Sequence, residues 1–257
     1  MTVIDTMIGA HVWSTEEKRI LVQAARLAPR RRLGDNWALE IQGDQVELYE
    51  RFDETRWLRD HCGRTRLLAC GAVLTHLDVA MRLLGWLPSI DLSAVPNVPD
   101  RVAMLKASSR SRPGNRDFAR YGAMAGRASL PVPGSLDTWC EELSRDHQGD
   151  GVRVAVLSAD RAFELPSVGG RIRRDLDPAD DDSPGNVFVV TTMEETRHQI
   201  VRAGATAQWL RLEATEHGLH CRTVAAPFDA PARRGSLAGT AGVPGTPQLL
   251  VIVNLPG

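Results

Sequence analysis

The stretch from Arg64 to Trp86, RTRLLACGAVLTHLDVAMRLLGW, is apolar on most faces, with polar residues only at intervals. A helix of that kind has little surface to offer water and must be wrapped by other elements. Gly85 is placed to end it, and Leu87-Pro88 cannot continue it. A second long helical segment is expected from about Glu194 to His217. It carries Ile200, Val201, Ala205, Trp209, Leu210 and Leu212, with Gly218 as its cap. A chain of 257 residues can bury both, as one large domain or as two modest lobes.

The remaining pattern mixes helices and strands. A helix is expected from Ser14, where Ser14 or Thr15 caps, Glu16 and Glu17 sit in the first turn, and Pro29 stops it. Two alternating runs, Ala38–Gln42 and Gln45–Tyr49, flank Gly43-Asp44 and read as a tight hairpin. A proline-punctuated connector follows from Pro88 to Pro99, then a short helix around Asp100–Ala107. That connector divides the chain into an N-terminal lobe, residues 1–99, and a C-terminal lobe, residues 100–257. The second lobe holds a helix from Ser135 to Asp146 and strands at Val152–Ser158 and Asn186–Thr192. The closing PQLLVIVNL reads as a fully buried strand. Residues Gly169–Gly185, polar and charged, read as a mobile surface loop.

Composition removes several classes. The net charge of −1 argues against a nucleic-acid or acidic-membrane partner, and the four cysteines form no Cys-x-x-Cys pair. With neither a signal pattern nor a long apolar span, the expectation is a reduced, soluble, cytoplasmic protein acting on a small molecule. No Gly-x-Gly-x-x-Gly, Walker loop or Gly-x-Ser-x-Gly elbow is present. His217-Gly-Leu-His220-Cys221 spans the expected helix end, so no metal site is expected there.

Five segments, in order, resemble the nitroreductase superfamily and within it the Acg-like actinobacterial subgroup. They are AARLAPRRRLGDNWALEIQGDQVELY, GRTRLLACGAVLTHLDVAMRLLGW, RPGNRDF, VRAGATAQWLRLEATEHGLH and GVPGTPQLLVIVNL. The resemblance implies an α+β, nitroreductase-like fold. It would have two pseudo-symmetric lobes, each an antiparallel sheet packed on long core helices, with FMN between them. It also implies electron transfer from NAD(P)H through FMN to a nitroaromatic, quinone or related acceptor, in a monomer or homodimer.

Residue by residue, the resemblance assigns FMN contacts to Arg112, Gly114 and Arg116, in place of an Arg-x-Ser-x-Arg pattern. Phe118 follows at the expected position. Arginines beside a helix start suit a phosphate. Gly218-Leu219 matches a step that lets backbone approach the flavin ring, and Trp37 matches an aromatic near it. The subgroup's Pro-Ser-x-x-Asn-x-Gln-Pro-Trp loop is here Pro29-Arg30-Arg31-Arg32-Leu33-Gly34-Asp35-Asn36-Trp37. Arg30 and Arg32, with Arg31, therefore either meet the phosphate in place of a hydroxyl and amides or form a plain solvated turn. The chain is also shorter between Ala162 and Gly185, and the final strand lacks a basic residue after Pro-Gln.

Three readings follow. One is an FMN-dependent oxidoreductase. The second is a catalytically degenerate relative that sequesters flavin or binds another ligand or protein. The third is a specialised biosynthetic flavin enzyme.

Overall fold

The computed structural model describes residues 11–29, 37–52, 60, 63–157, 185–225, 234–235, 238–239 and 242–256. Among these are five helices and eight strands, in two antiparallel four-stranded sheets.

Helix α1 (Thr15–Leu27) begins as its sequence dictates. Ser14 Oγ accepts from the Glu17 N–H, and the Glu17 carboxylate accepts from the Ser14 N–H, a closed capping box. Strands β1 (Trp37–Gln42) and β2 (Gln45–Glu50) form the expected hairpin, with Gly43 at φ +58° in the turn. Helix α2 (Arg64–Leu83) is the buried rod, and Gly85, at φ +84°, turns the chain out of it.

The next segment corrects the sequence reading. The connector and short helix expected over Pro88–Ala107 are instead strands β3 (Trp86–Asp91) and β4 (Arg101–Arg110), paired antiparallel. Burial of Val102, Ala103 and Leu105 against the core overrides the helical reading. Pro88 is accommodated because β3 is an edge strand and its register shifts at Leu87/Pro88. The first sheet has the order β1-β2-β4-β3 and runs on to Arg110.

Helices α3 (Asn115–Met124) and α4 (Leu136–Asp146) follow, then strands β5 (Val152–Leu157) and β6 (Asn186–Thr192). Helix α5 (Arg197–Glu216), capped by Thr196, is the second rod. It leads to β7 (His220–Val224), a strand the sequence reading had not identified, and to the closing β8 (Thr246–Asn254). The second sheet has the order β5-β6-β8-β7. Its central strands are buried on both faces: Phe188, Val190, Leu249 and Val251 face the main core, and Val187, Val189, Leu250 and Ile252 a smaller one. Leu157, Val224 and Val243 complete that second cluster.

The two rods cross at glycines. A Cβ on Gly71 would overlap the carbonyl of Val201 and lie 2.6 Å from the Ala205 nitrogen. One on Gly204 would overlap the carbonyl of Leu68 and lie 2.8 Å from its Cα. Beyond the crossing, Thr75 Oγ1 donates to the Ala205 carbonyl, and buried Gln208 reaches His76 Nε2 at 2.7 Å. The Nδ1 of that histidine lies 2.9 Å from the Ala24 carbonyl, tying α1 to both rods. The rods therefore run in the same general direction, with both N-termini at one end and both C-termini at the other.

Candidate functional site

At the N-terminal end, the first residue of each rod is an arginine engaged with the opposite sheet. Buried Arg64 donates through Nε to Gln248 Oε1 at 2.9 Å and through Nη2 to the Gln248 carbonyl. Gln248, on β8 and fully buried, donates to Thr192 Oγ1 at 2.9 Å. Arg197 pairs with Glu50, the last residue of β2. Glu50 also takes Arg66 at 3.1 Å, and Asp60 caps α2 by accepting the N–H groups of Thr65 and Arg66 at 2.9 and 3.1 Å. Among the described residues Glu50 thus pairs with Arg66 and Arg197, and Asp60 with Arg66, while Arg64 is held by neutral Gln248 and Arg197 Nη2 is buried without a hydrogen bond. Pairing of this kind is what lets such groups leave water.

The C-terminal end is organised differently. Chain leaving β4 passes Gly85, where the Ser111 N–H donates to the Gly85 carbonyl at 3.0 Å, and enters α3 at Gly114. Gly114 offers no side-chain cap, and Asp117 Oδ2 accepts its N–H at 2.8 Å. Arg112 is exposed and makes no ion pair or side-chain hydrogen bond among the described residues. Arg116 is mostly exposed, with its guanidinium 3.5 Å from Glu213 Oε1 on α5. That carboxylate also meets Arg120 at 3.1 Å and His147 Nε2 at 3.5 Å. Burial alone would raise the Glu213 carboxyl, but these cationic partners outweigh it and hold it below the ordinary range.

One turn on, Glu216 is 2% exposed, with Oε1 3.6 Å from Arg120 Nε and no hydrogen-bond partner for that oxygen. Burial pushes its carboxyl up to about 7, and Glu213 adds to the rise while Arg120 and Arg116 oppose it. Arg120 also lies over the Trp209 ring at 4.7 Å. The Glu216 carbonyl accepts the N–H groups of Ser129 and Leu130, fastening the segment after α3 to the end of α5.

The structure thus gathers Arg116, Gly218 and Leu219 around the last turns of α5, with Arg112 and Gly114 at the start of α3. Gly218 is in the left-handed region at φ +70°, as a helix-ending glycine must be, and a Cβ there would rest 3.4 Å from Ala128 Cβ. Leu219 is buried in the main core. Trp37 is placed elsewhere. It stands opposite Glu50 in the β1–β2 ladder, and Glu50 binds Arg197 at the other end of α5. Arg197 and Glu213 are separated by about 24 Å of helix at 1.5 Å per residue. Arg30 and Arg32 lie outside the described residues, as does the Gly169–Gly185 loop apart from Gly185.

The sequence reading missed Arg120, His147, Glu213 and Glu216. The signals were present: Arg116 and Arg120 are one turn apart, and so are Glu213 and Glu216. The spacing shows which residues share a helix face but not which helix faces which. Among the described residues no group of three His, Cys, Asp or Glu is placed to hold a metal, and no helix is long and apolar enough to cross a membrane.

No protein-family model matches the chain. A Mycobacterium tuberculosis protein named "Putative NAD(P)H nitroreductase acg" is 25% identical over 306 residues, spanning 98% of this chain and 91% of its own length. A second "Putative NAD(P)H nitroreductase" from the same bacterium is 26% identical over 302 residues, spanning 96% of this chain and 87% of its own length. Both alignments are longer than the 257 residues of this chain, so these relatives carry segments it lacks. In fold it is similar to a "putative nitroreductase" from Anabaena variabilis. The TM-score is 0.58 at 10% identity, covering 95% of this chain and 74% of that one. With two antiparallel sheets on paired central helices and relatives of this kind along nearly its whole length, the chain resembles the nitroreductase superfamily, and within it the actinobacterial Acg-like proteins.

Proposed function

We propose that the chain is an FMN-dependent oxidoreductase that takes electrons from NAD(P)H and passes them to a small organic acceptor. The observation that carries this reading is the open start of α3. Arg112 is exposed and Arg116 only loosely paired, on either side of Gly114. The N–H groups of a first helical turn have no partners within the helix. A terminal phosphate fits two guanidiniums and such a turn. Asp117, which already takes the Gly114 N–H, and Glu213 beside Arg116 are local charges opposing it.

In this reading Arg112 and Arg116 hold the phosphate, and the glycine at 218 lets backbone come close to the ring. When bound, the flavin supplies the hydride chemistry, so the protein needs no acid–base pair of its own and serves to bind, orient and shield. The site is assembled within one chain, so a monomer suffices.

A two-lobe division supports it. The strand order β1-β2-β4-β3 recurs as β5-β6-β8-β7, both rods are 20 residues long, and each rod's first arginine reaches the other sheet. The boundary expected between residues 99 and 100 falls between the paired strands β3 and β4, so we propose it instead after Arg110, where the first sheet ends. On this reading the chain is a duplicated, diverged pair of lobes.

One observation favours a second reading, in which flavin or another anion is bound without turnover. Glu213 stands 3.5 Å from Arg116 and competes with a phosphate for it. An absorbance spectrum of the purified protein, followed by FMN titration and an NAD(P)H oxidation assay, separates the cases. One flavin per chain with NAD(P)H consumption supports the oxidoreductase. Bound flavin without consumption supports sequestration, and a colourless protein that ignores FMN removes both.

A further inference from the structure

Around the end of α5 two carboxylates face two arginines. Glu213 and Glu216 come from α5, and Arg116 and Arg120 from α3. Arg120 is shared: its Nη2 donates to Glu213 at 3.1 Å, while its Nε stops 3.6 Å short of the buried Glu216 Oε1. Both that nitrogen and that oxygen are buried without a hydrogen-bond partner. Taking a carboxylate out of water is costly, and an ion pair at 3.6 Å with no hydrogen bond offsets that only in part. A neutral carboxyl in the same place costs much less. The shorter contact on the Glu213 side and the longer one on the Glu216 side leave Arg120 resting mainly on Glu213.

We propose that Glu216 gates the availability of Arg116. While Glu216 is protonated, Arg120 rests on Glu213 with His147 beside it. Arg116, mostly exposed and 3.5 Å from the same carboxylate, is then held only loosely and can turn to an anion. When Glu216 ionises, its proton leaves to solvent and Arg120 is drawn across to it. Glu213 must then take Arg116. Two carboxylates now hold two guanidiniums, and none is left over. The inference rests on Arg116 as an anion ligand, the role given to it above.

Burial acts in the required direction, since it lifts the Glu216 carboxyl into the neutral range. The other groups facing this cluster are His147 at the end of α4, on Glu213, and Asp78 of α2, buried and paired with Arg82. The nearest competitor for control of the gate is His147, because it contacts the same Glu213 carboxylate that holds Arg116.

The test uses the ligand-free full chain. Carboxyl-carbon NMR should show the Glu216 signal, identified by its loss in Glu216→Gln, titrating near pH 7. The Arg116 Nε–H signal should shift through the same pH range as the guanidinium becomes held. Sulfate, whose charge is constant over this range, serves as the anion probe. It should bind about tenfold more tightly at pH 6 than at pH 8.5, the size of one charge-assisted hydrogen bond. Glu216→Gln should keep the tighter affinity at both pH values, and His147→Gln should leave the pH profile in place. A carboxyl already ionised at pH 6, or a profile that survives Glu216→Gln and vanishes in His147→Gln, overturns the gate. If sulfate binds no better than to the Arg112→Gln/Arg116→Gln protein, the phosphate reading fails. The two NMR signals still decide the gate: moving together they support it, and moving apart they overturn it.

Discussion

Gly71 and Gly204 meet where α2 crosses α5, and neither has room for a side chain. Each would drive a methyl group into the other helix's backbone, which cannot swing aside as a flexible side chain would. The contact is also reciprocal, Gly71 against Val201 and Gly204 against Leu68. Alanine at either position forces the rods apart and loosens every layer packed on them. We expect Gly71→Ala and Gly204→Ala each to cost about 3 kcal/mol, at the upper end of overpacking penalties. Gly122→Ala, in α3, is the control: its Cβ would meet Arg127 at an ordinary 3.7 Å. It should be neutral or stabilising by up to about 1 kcal/mol. Urea denaturation of the three variants checks the contrast.

The Arg64–Gln248–Thr192 chain should be strongly coupled. Gln248→Leu removes an acceptor from a buried guanidinium and a donor from Thr192. It is expected to cost about 3 kcal/mol, as breaking one side of a buried charged contact does. Thr192→Val, which removes a single neutral partner, should cost about 1 kcal/mol. A double-mutant cycle measured by denaturation should show the two losses to be non-additive.

Stability should fall in mild acid for a reason localised at His76. Burial is the largest influence on its imidazole and lowers it from 6.5 to about 4, with the Ala24 carbonyl opposing. The unfolded chain therefore binds the proton first. His76 contributes full stability above about pH 6.5 and loses it as pH falls toward 4, by roughly 3 kcal/mol in all. His76→Gln should be less stable at pH 7 and flatter between pH 7 and pH 4.5. Urea midpoints at those two values decide it; an equal acid loss in wild type and variant would dismiss the assignment.

If Arg112 and Arg116 hold a phosphate, then replacing either by Gln should weaken FMN binding about tenfold. Riboflavin, which lacks the phosphate, should bind both variants as it binds the wild type. An Arg112→Gln protein with unchanged FMN affinity would remove that residue from the site.

The parts of the fold that could be read from the chain are those governed by local chemistry. Ser14 and Glu17 cap a helix, Gly43-Asp44 closes a hairpin, and Gly85 and Gly218 end the two rods, each within a few residues of its cause. The segment Asp100–Ala107 was misread because its strand state comes from pairing with β2 and β3, partners its own periodicity cannot announce. The same limit applies to the site. Arg112 and Arg116 stood out by spacing, but Glu213 becomes their counter-charge only through the packing of α3 on α5. Trp37 was grouped with them by position in a motif, and the hairpin register instead puts it beside Glu50.

The bond between Arg64 and Gln248 spans 184 positions of sequence. During synthesis, the start of α2 is made long before the strand that completes it. Strand β8 is also internal to the second sheet, between β6 and β7. A nascent chain therefore carries an arginine destined for the interior until β8 emerges to meet it. A chain that stops short of β8 leaves a buried position in its first half without its two Gln248 contacts.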